Sequence, residues 1–116
     1  MPLLRLETSV ALEPEKKSAL LASLGEILAR DTGKATSHVM IVIVDRVELS
    51  MAGKQCPGAF VDVRGIGGLN GGVNRKLSAS VCELLQQKCG IRPGAVYLNF
   101  TELQASHWGF NGSTFG

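Results

Sequence analysis

Residues 39–44 read Val-Met-Ile-Val-Ile-Val, and residues 96–100 read Val-Tyr-Leu-Asn-Phe. The first run is apolar throughout and rich in β-branched side chains, the pattern of a strand covered on both faces. The second alternates, with Val96, Leu98 and Phe100 on one face and Tyr97 and Asn99 on the other. Each run follows a glycine, Gly33 or Gly90, placed where a helix would take its C-terminal cap. The two glycines are 57 positions apart (90 less 33). Moving outward at that spacing, the helical stripe Leu20, Leu24, Ile27 and Leu28 falls on Leu77, Val81, Leu84 and Leu85. Further out, Leu4 and Leu6, in the alternating run Leu4, Leu6, Thr8, Val10, fall on Val61 and Val63. Pro14 suits the first turn of the earlier helix. Strand, helix and strand thus occur twice in phase, over about residues 2–45 and 59–101. The expected fold is α+β: two βαβ repeats forming one four-stranded mixed sheet, with two helices on one face.

Two helices cover only one face of such a sheet, yet residues 39–44 are apolar on both. The other face is expected to be a sizeable exposed apolar surface, which soluble monomers rarely carry. At about 25 cal/mol per Å², hiding several hundred Å² is worth several kcal/mol. Cyclic oligomerisation with the sheets turned inward follows, and with it a site at a subunit boundary.

Composition narrows the function classes. The 116 residues are one domain's worth, 45% hydrophobic and 19% charged, so a real core is expected. The net charge of +2 is dispersed, without the basic stripe and interleaved aromatics of a nucleic-acid binder. No apolar run reaches the roughly 18 residues of a membrane span, and Arg5 and Glu7 break any signal-peptide core. A cytoplasmic location is therefore expected, without nucleic acid or membrane as partner. The three cysteines fit a reducing compartment, with Cys82 and Cys89 as core thiols. None belongs to a Cys-x-x-Cys pair or a zinc-spaced cluster.

Among candidate chemical groups, Pro2 comes first. A small second residue lets the initiator Met1 be removed, exposing a secondary amine at the start of a strand. Burial would lower its pKa from the usual α-amino value of about 7.7–8.0 and leave a neutral base. The glycine-rich segment Gly65-Ile66-Gly67-Gly68-Leu69-Asn70-Gly71-Gly72 lies between strand and helix, as phosphate-binding loops do. Asn70 breaks the Gly-x-Gly-x-x-Gly pattern, and no Gly-Lys-Ser/Thr follows. A tight turn with spare backbone amides for a carboxylate fits better. Lys34 follows the capping Gly33, where a lysine also suits the helix dipole. His38 and His107 have no partner at recognisable spacing and read as surface or capping residues. Trp108, Phe110 and Phe115 crowd a glycine-rich tail, as a packed edge or the wall of a ring-binding pocket.

Taken together, Met1-Pro2, Thr32-Gly33-Lys34, Ile66-Gly67, Asn74-Arg75, Val96-Tyr97-Leu98-Asn99 and Asn111-Gly112-Ser113-Thr114-Phe115 resemble the macrophage migration inhibitory factor family of the tautomerase superfamily. The resemblance spans nearly the whole chain. It implies a homotrimer with active sites between subunits and no cofactor. It implies Pro2 as catalytic base, with Lys34 and the Ile66 backbone amide holding a substrate carboxylate. Tyr97 and Asn99 would come from a neighbouring subunit, and Trp108, Phe110 and Phe115 would wall the substrate ring. Implied substrates are aromatic α-keto acids such as phenylpyruvate, and dopachrome-like compounds. The family's other implied role is cytokine-like signalling through a receptor, which would need unconventional export.

The chain also departs from the family pattern. Gly58-Ala59-Phe60-Val61 stands where relatives often carry Cys-x-x-Cys, which argues against redox function by that route. Gly65 replaces a common serine, His38 a common aromatic and Phe110 the usual tail tryptophan, while Arg64 adds a positive charge near the pocket. A shifted substrate preference is expected.

Overall fold

In the computed structural model, which describes residues 1–116, β1 (Leu3–Thr8) buries Leu4, Leu6 and Thr8 on one side. Leu3, Arg5 and Glu7 alternate with them on the other. Helix α1 (Pro14–Thr32) starts on Pro14 and buries Leu20, Leu24 and Leu28 along one stripe. It ends on Gly33, whose φ of 71° no β-carbon obstructs and whose N–H donates to the Ala29 carbonyl. After a 3-10 turn at Thr36–His38 comes β2 (Met40–Val44). A hairpin then joins β3 (Ser50–Met51) to β4 (Lys54–Gln55) across Ala52-Gly53, both at positive φ.

The second half repeats the plan. Strand β5 (Ala59–Gly65) leads to α2 (Gly71–Cys89), capped at its start by the Asn70 side chain, which accepts from the Val73 N–H at 3.0 Å. Gly90, φ 67°, closes α2, and a 3-10 turn at Pro93–Ala95 feeds β6 (Val96–Glu102). Both helices, and the 3-10 turn that follows each, keep the 57-residue offset (71 less 14, 93 less 36). The tail adds β7 (Gly109–Phe110) and β8 (Ser113–Thr114), a hairpin turning on Asn111-Gly112.

The sheet order is β2-β1-β5-β6. Strands β1 and β2 are parallel, as are β5 and β6, while β1 and β5 run antiparallel between them. This is the expected α+β architecture. Leu4, Leu6, Val61 and Val63 from the central strands pack beneath Leu20, Leu24, Leu28, Leu77, Val81 and Leu85 of the helices. Each such side chain contributes about 1.5–3 kcal/mol by burial. The helices are pinned to each other by Asp31, whose side chain is fully covered. It accepts from Arg30 Nε at 2.9 Å and from Ser80 Oγ of α2 at 3.0 Å. Cys82 and Cys89 lie half-buried against the core, and burial pushes both thiols up.

The face away from the helices differs from the expectation. Its β2 margin is apolar, with Met40 exposed and Val42 and Val44 half-buried while Ile41 and Ile43 pack on the core, and Leu3 and Phe60 of the central strands share that face. Elsewhere it carries Arg5 beside Glu7, Arg64 beside Asp62, and the outward Tyr97 and Asn99. Within one chain β2 is therefore an edge strand covered on one face only.

Candidate functional site

Pro2 is buried at the entrance to β1, and its carbonyl accepts the Met40 N–H at 3.1 Å. Because Leu3 is paired with Met40 on one side and Arg64 on the other, Pro2 is held between β2 and β5 in the middle of the sheet. It lines an open cleft of about 520 Å³. The far wall is the tail hairpin, which turns back so that the Phe115 N–H donates to the Trp108 carbonyl at 3.2 Å. Phe110 and Phe115 stack with centroids 5.2 Å apart and planes 10° from parallel, and Trp108 lies beside them in the lining. His38 meets Phe110 edge-on at 6.2 Å.

Lys34 reaches the region from the turn that closes α1. Its N–H caps the helix through the Ala29 carbonyl, and its Nζ donates to the Ile66 carbonyl at 3.2 Å. The side chain crosses Gly68, where a β-carbon would come within 3.0 Å of Lys34 Cε, so the glycine makes room for it. Neither Lys34 nor Ile66 is among the residues that line the cleft. The Lys34 charge nevertheless acts at the front of the chain: burial, and then Lys34, pull the Met1 amine below its ordinary value. No Asp or Glu lines the cleft, whereas Arg64, His38 and His107 do. It is an anion-favouring hollow with an aromatic wall.

The chain thus gathers Pro2, Trp108, Phe110 and Phe115 in one cleft, while Lys34 and Ile66 meet each other outside its lining. Tyr97 and Asn99 lie elsewhere, on the open face of β6, with Tyr97 66% exposed. Two residues read as isolated surface histidines, His38 and His107, are exposed but rim the same cleft. The signal available was position: each ends a 3-10 turn, one feeding β2 and the other the aromatic tail. The tail hairpin was announced by Asn111-Gly112, a pair that tolerates the positive φ of a primed turn. No group of three or more His, Cys, Asp or Glu is placed to hold a metal ion.

The family model described as "Macrophage migration inhibitory factor (MIF)" matches residues 1–116. The chain belongs to the macrophage migration inhibitory factor family. The factor of Rattus norvegicus is 33% identical over 117 residues, covering 99% of both chains. Among solved structures, the MIF-like protein of Entamoeba histolytica superposes with a TM-score of 0.94 at 35% identity, covering 98% of each chain. The MIF homologue of Prochlorococcus marinus gives 0.93 at 34% identity, covering 98% of this chain and 99% of its own. The fold is a tautomerase-superfamily fold, and in this chain Pro2 stands immediately before its central strand β1.

Proposed function

We propose that the protein is a keto–enol tautomerase of aromatic α-keto acids such as phenylpyruvate, and of dopachrome-like compounds, with the Pro2 nitrogen as general base. The observation that carries this is the buried Pro2 in a cleft with an aromatic wall, directly after a Met1 amine that burial and Lys34 pull below its ordinary value. Removal of Met1 frees the nitrogen, which otherwise has its lone pair in an amide. The neutral amine takes a proton from the carbon next to the keto group. The electron pair of that C–H bond forms the enol double bond, and the protonated Pro2 gives its proton back at the carbonyl oxygen, which restores the neutral base. Lys34 with the Ile66 amide holds the carboxylate, and Trp108, Phe110 and Phe115 hold the ring. The reaction moves only protons and calls on no cofactor.

The assembly in this reading is a homotrimer. The open β2 margin supplies apolar contact, and Tyr97 and Asn99 of a neighbouring copy complete the site as donors to enolate charge. Cytokine-like signalling is the second reading, favoured by the name its relatives carry. The two separate on one experiment: intact-mass measurement of the active material, then turnover of Pro2→Gly. A base role predicts loss of Met1 and a drop in turnover of roughly 10²-fold or more. Full turnover by Pro2→Gly, or active protein that retains Met1, rejects it.

A further inference from the structure

Arg64 lies on the open face of β5, paired in register with Leu3, and lines the cleft that holds Pro2. Its guanidinium is steered from one side. A single oxygen of Asp62, Oδ2, accepts from Nε at 3.2 Å and from Nη2 at 3.1 Å. A guanidinium has five N–H donors in a planar fork. Asp62 occupies the Nε side, and the edge formed by Nη1 and the second Nη2 hydrogen has no partner within the chain. The side chain is 49% exposed, so that edge is reachable. Lys34 is tied separately, to the Ile66 carbonyl. The region around Pro2 thus has two independently anchored cations, and no acidic side chain lines it.

A substrate with one carboxylate needs one of them. We infer that Arg64, held by Asp62, is a specificity-determining residue that binds a second carboxylate, so that α-keto acids with another acid group on the far side of the molecule are preferred. This rests on the tautomerase reading above and narrows its substrate class. The arginine edge fits a carboxylate in a two-point contact that a lysine cannot reproduce. Asp62 acts as a positioning residue, since it fixes which edge faces outward.

The experiment compares phenylpyruvate with 4-carboxyphenylpyruvate, identical but for the added carboxylate. KM and kcat are measured for the native protein and for Arg64→Gln, Arg64→Lys and Asp62→Asn. The native protein should show a KM for the dicarboxylate about tenfold lower. Arg64→Gln should abolish that preference, the loss falling far more heavily on the dicarboxylate than on phenylpyruvate, and Arg64→Lys should restore only part of it. Asp62→Asn should weaken it with kcat unchanged. Equal losses on both substrates, or no change on either, would overturn the inference and leave a structural ion pair. If the native protein turns over neither compound, the Pro2 reading fails instead. The quenching of Trp108, the chain's single tryptophan, then decides on binding alone. A dissociation constant for the dicarboxylate that Arg64→Gln leaves unchanged overturns the assignment.

Discussion

The Lys34 Nζ donates to the Ile66 carbonyl at 3.2 Å, which ties the turn closing the first helix to the loop opening the second. Burial, followed by this ammonium, lowers the pKa of the Met1 amine, and on the proposed reading the same charge acts on the Pro2 nitrogen once Met1 is removed. On the proposed reading the base works when neutral, so activity should fall on the acid side through a pKa below about 7.7–8.0. Lys34→Ala removes the repulsion, and protonation becomes easier. The acid limb of kcat/KM should move to higher pH, and KM for phenylpyruvate should rise about tenfold. A pH–rate profile with an unmoved limb and unchanged KM would take Lys34 out of the site.

Gly68 offers a sharper probe of the same contact. Its φ is 82°, and a β-carbon there would press on Lys34 Cε at 3.0 Å. Gly68→Ala should cost roughly 1–2 kcal/mol of backbone strain and displace the lysine. Gly90→Ala is the control, because φ is 67° but nothing lies within 4 Å. Both variants should melt several degrees lower, and only Gly68→Ala should raise KM. Calorimetry with steady-state kinetics on the pair would show it.

Asp31 should govern acid lability of the helix pair. Burial alone pushes its carboxyl up, but hydrogen bonds from Arg30 and Ser80 and the charges of Arg30 and Lys76 outweigh it, so it lies below the ordinary range. Its stabilising effect is present above the unfolded pKa of about 3.9 and is lost as pH falls through the lower folded value. Asp31→Ala should cost about 1–3 kcal/mol at pH 7, because Ser80 and Arg30 lose their partner. In urea titrations the gap between native and variant should close as the solution is acidified below that range.

Assembly should depend on the β2 margin. Met40 is 61% exposed, and Val42 and Val44 share its face. Val42→Asp places a charge in the middle of that strip. Sedimentation at micromolar concentration should find the native protein associated and the variant monomeric. A native protein that stays monomeric under those conditions would contradict the trimer.

The two halves of the fold were legible because periodicity and caps repeat together: the Leu20 stripe with the Leu77 stripe, Gly33 with Gly90. Alternation also put Tyr97 and Asn99 on the outer side of β6, although it cannot say what meets them there. The open face was less legible. Apolar residues 39–44 suggested a broad greasy surface, but Arg5, Glu7, Asp62 and Arg64 on the central strands break it up with charge. Those charges fall on alternate positions whose shared side appears only once β1 and β5 are paired. His38 and His107 were missed for a similar reason. They sit on 3-10 turns without periodicity, and the parallel pairing of Leu3 with Met40 is what places His38 next to Pro2.

The strand Met40–Val44 ends the sheet with five apolar residues, no proline and no charge. An unpaired backbone edge of that composition is also a template for indefinite strand addition. A variant kept from its own copies by changes elsewhere, with this strand left apolar, should therefore be more than a smaller particle. It should be the species that seeds fibrils on storage, and the proposed assembly would then protect the chain from itself.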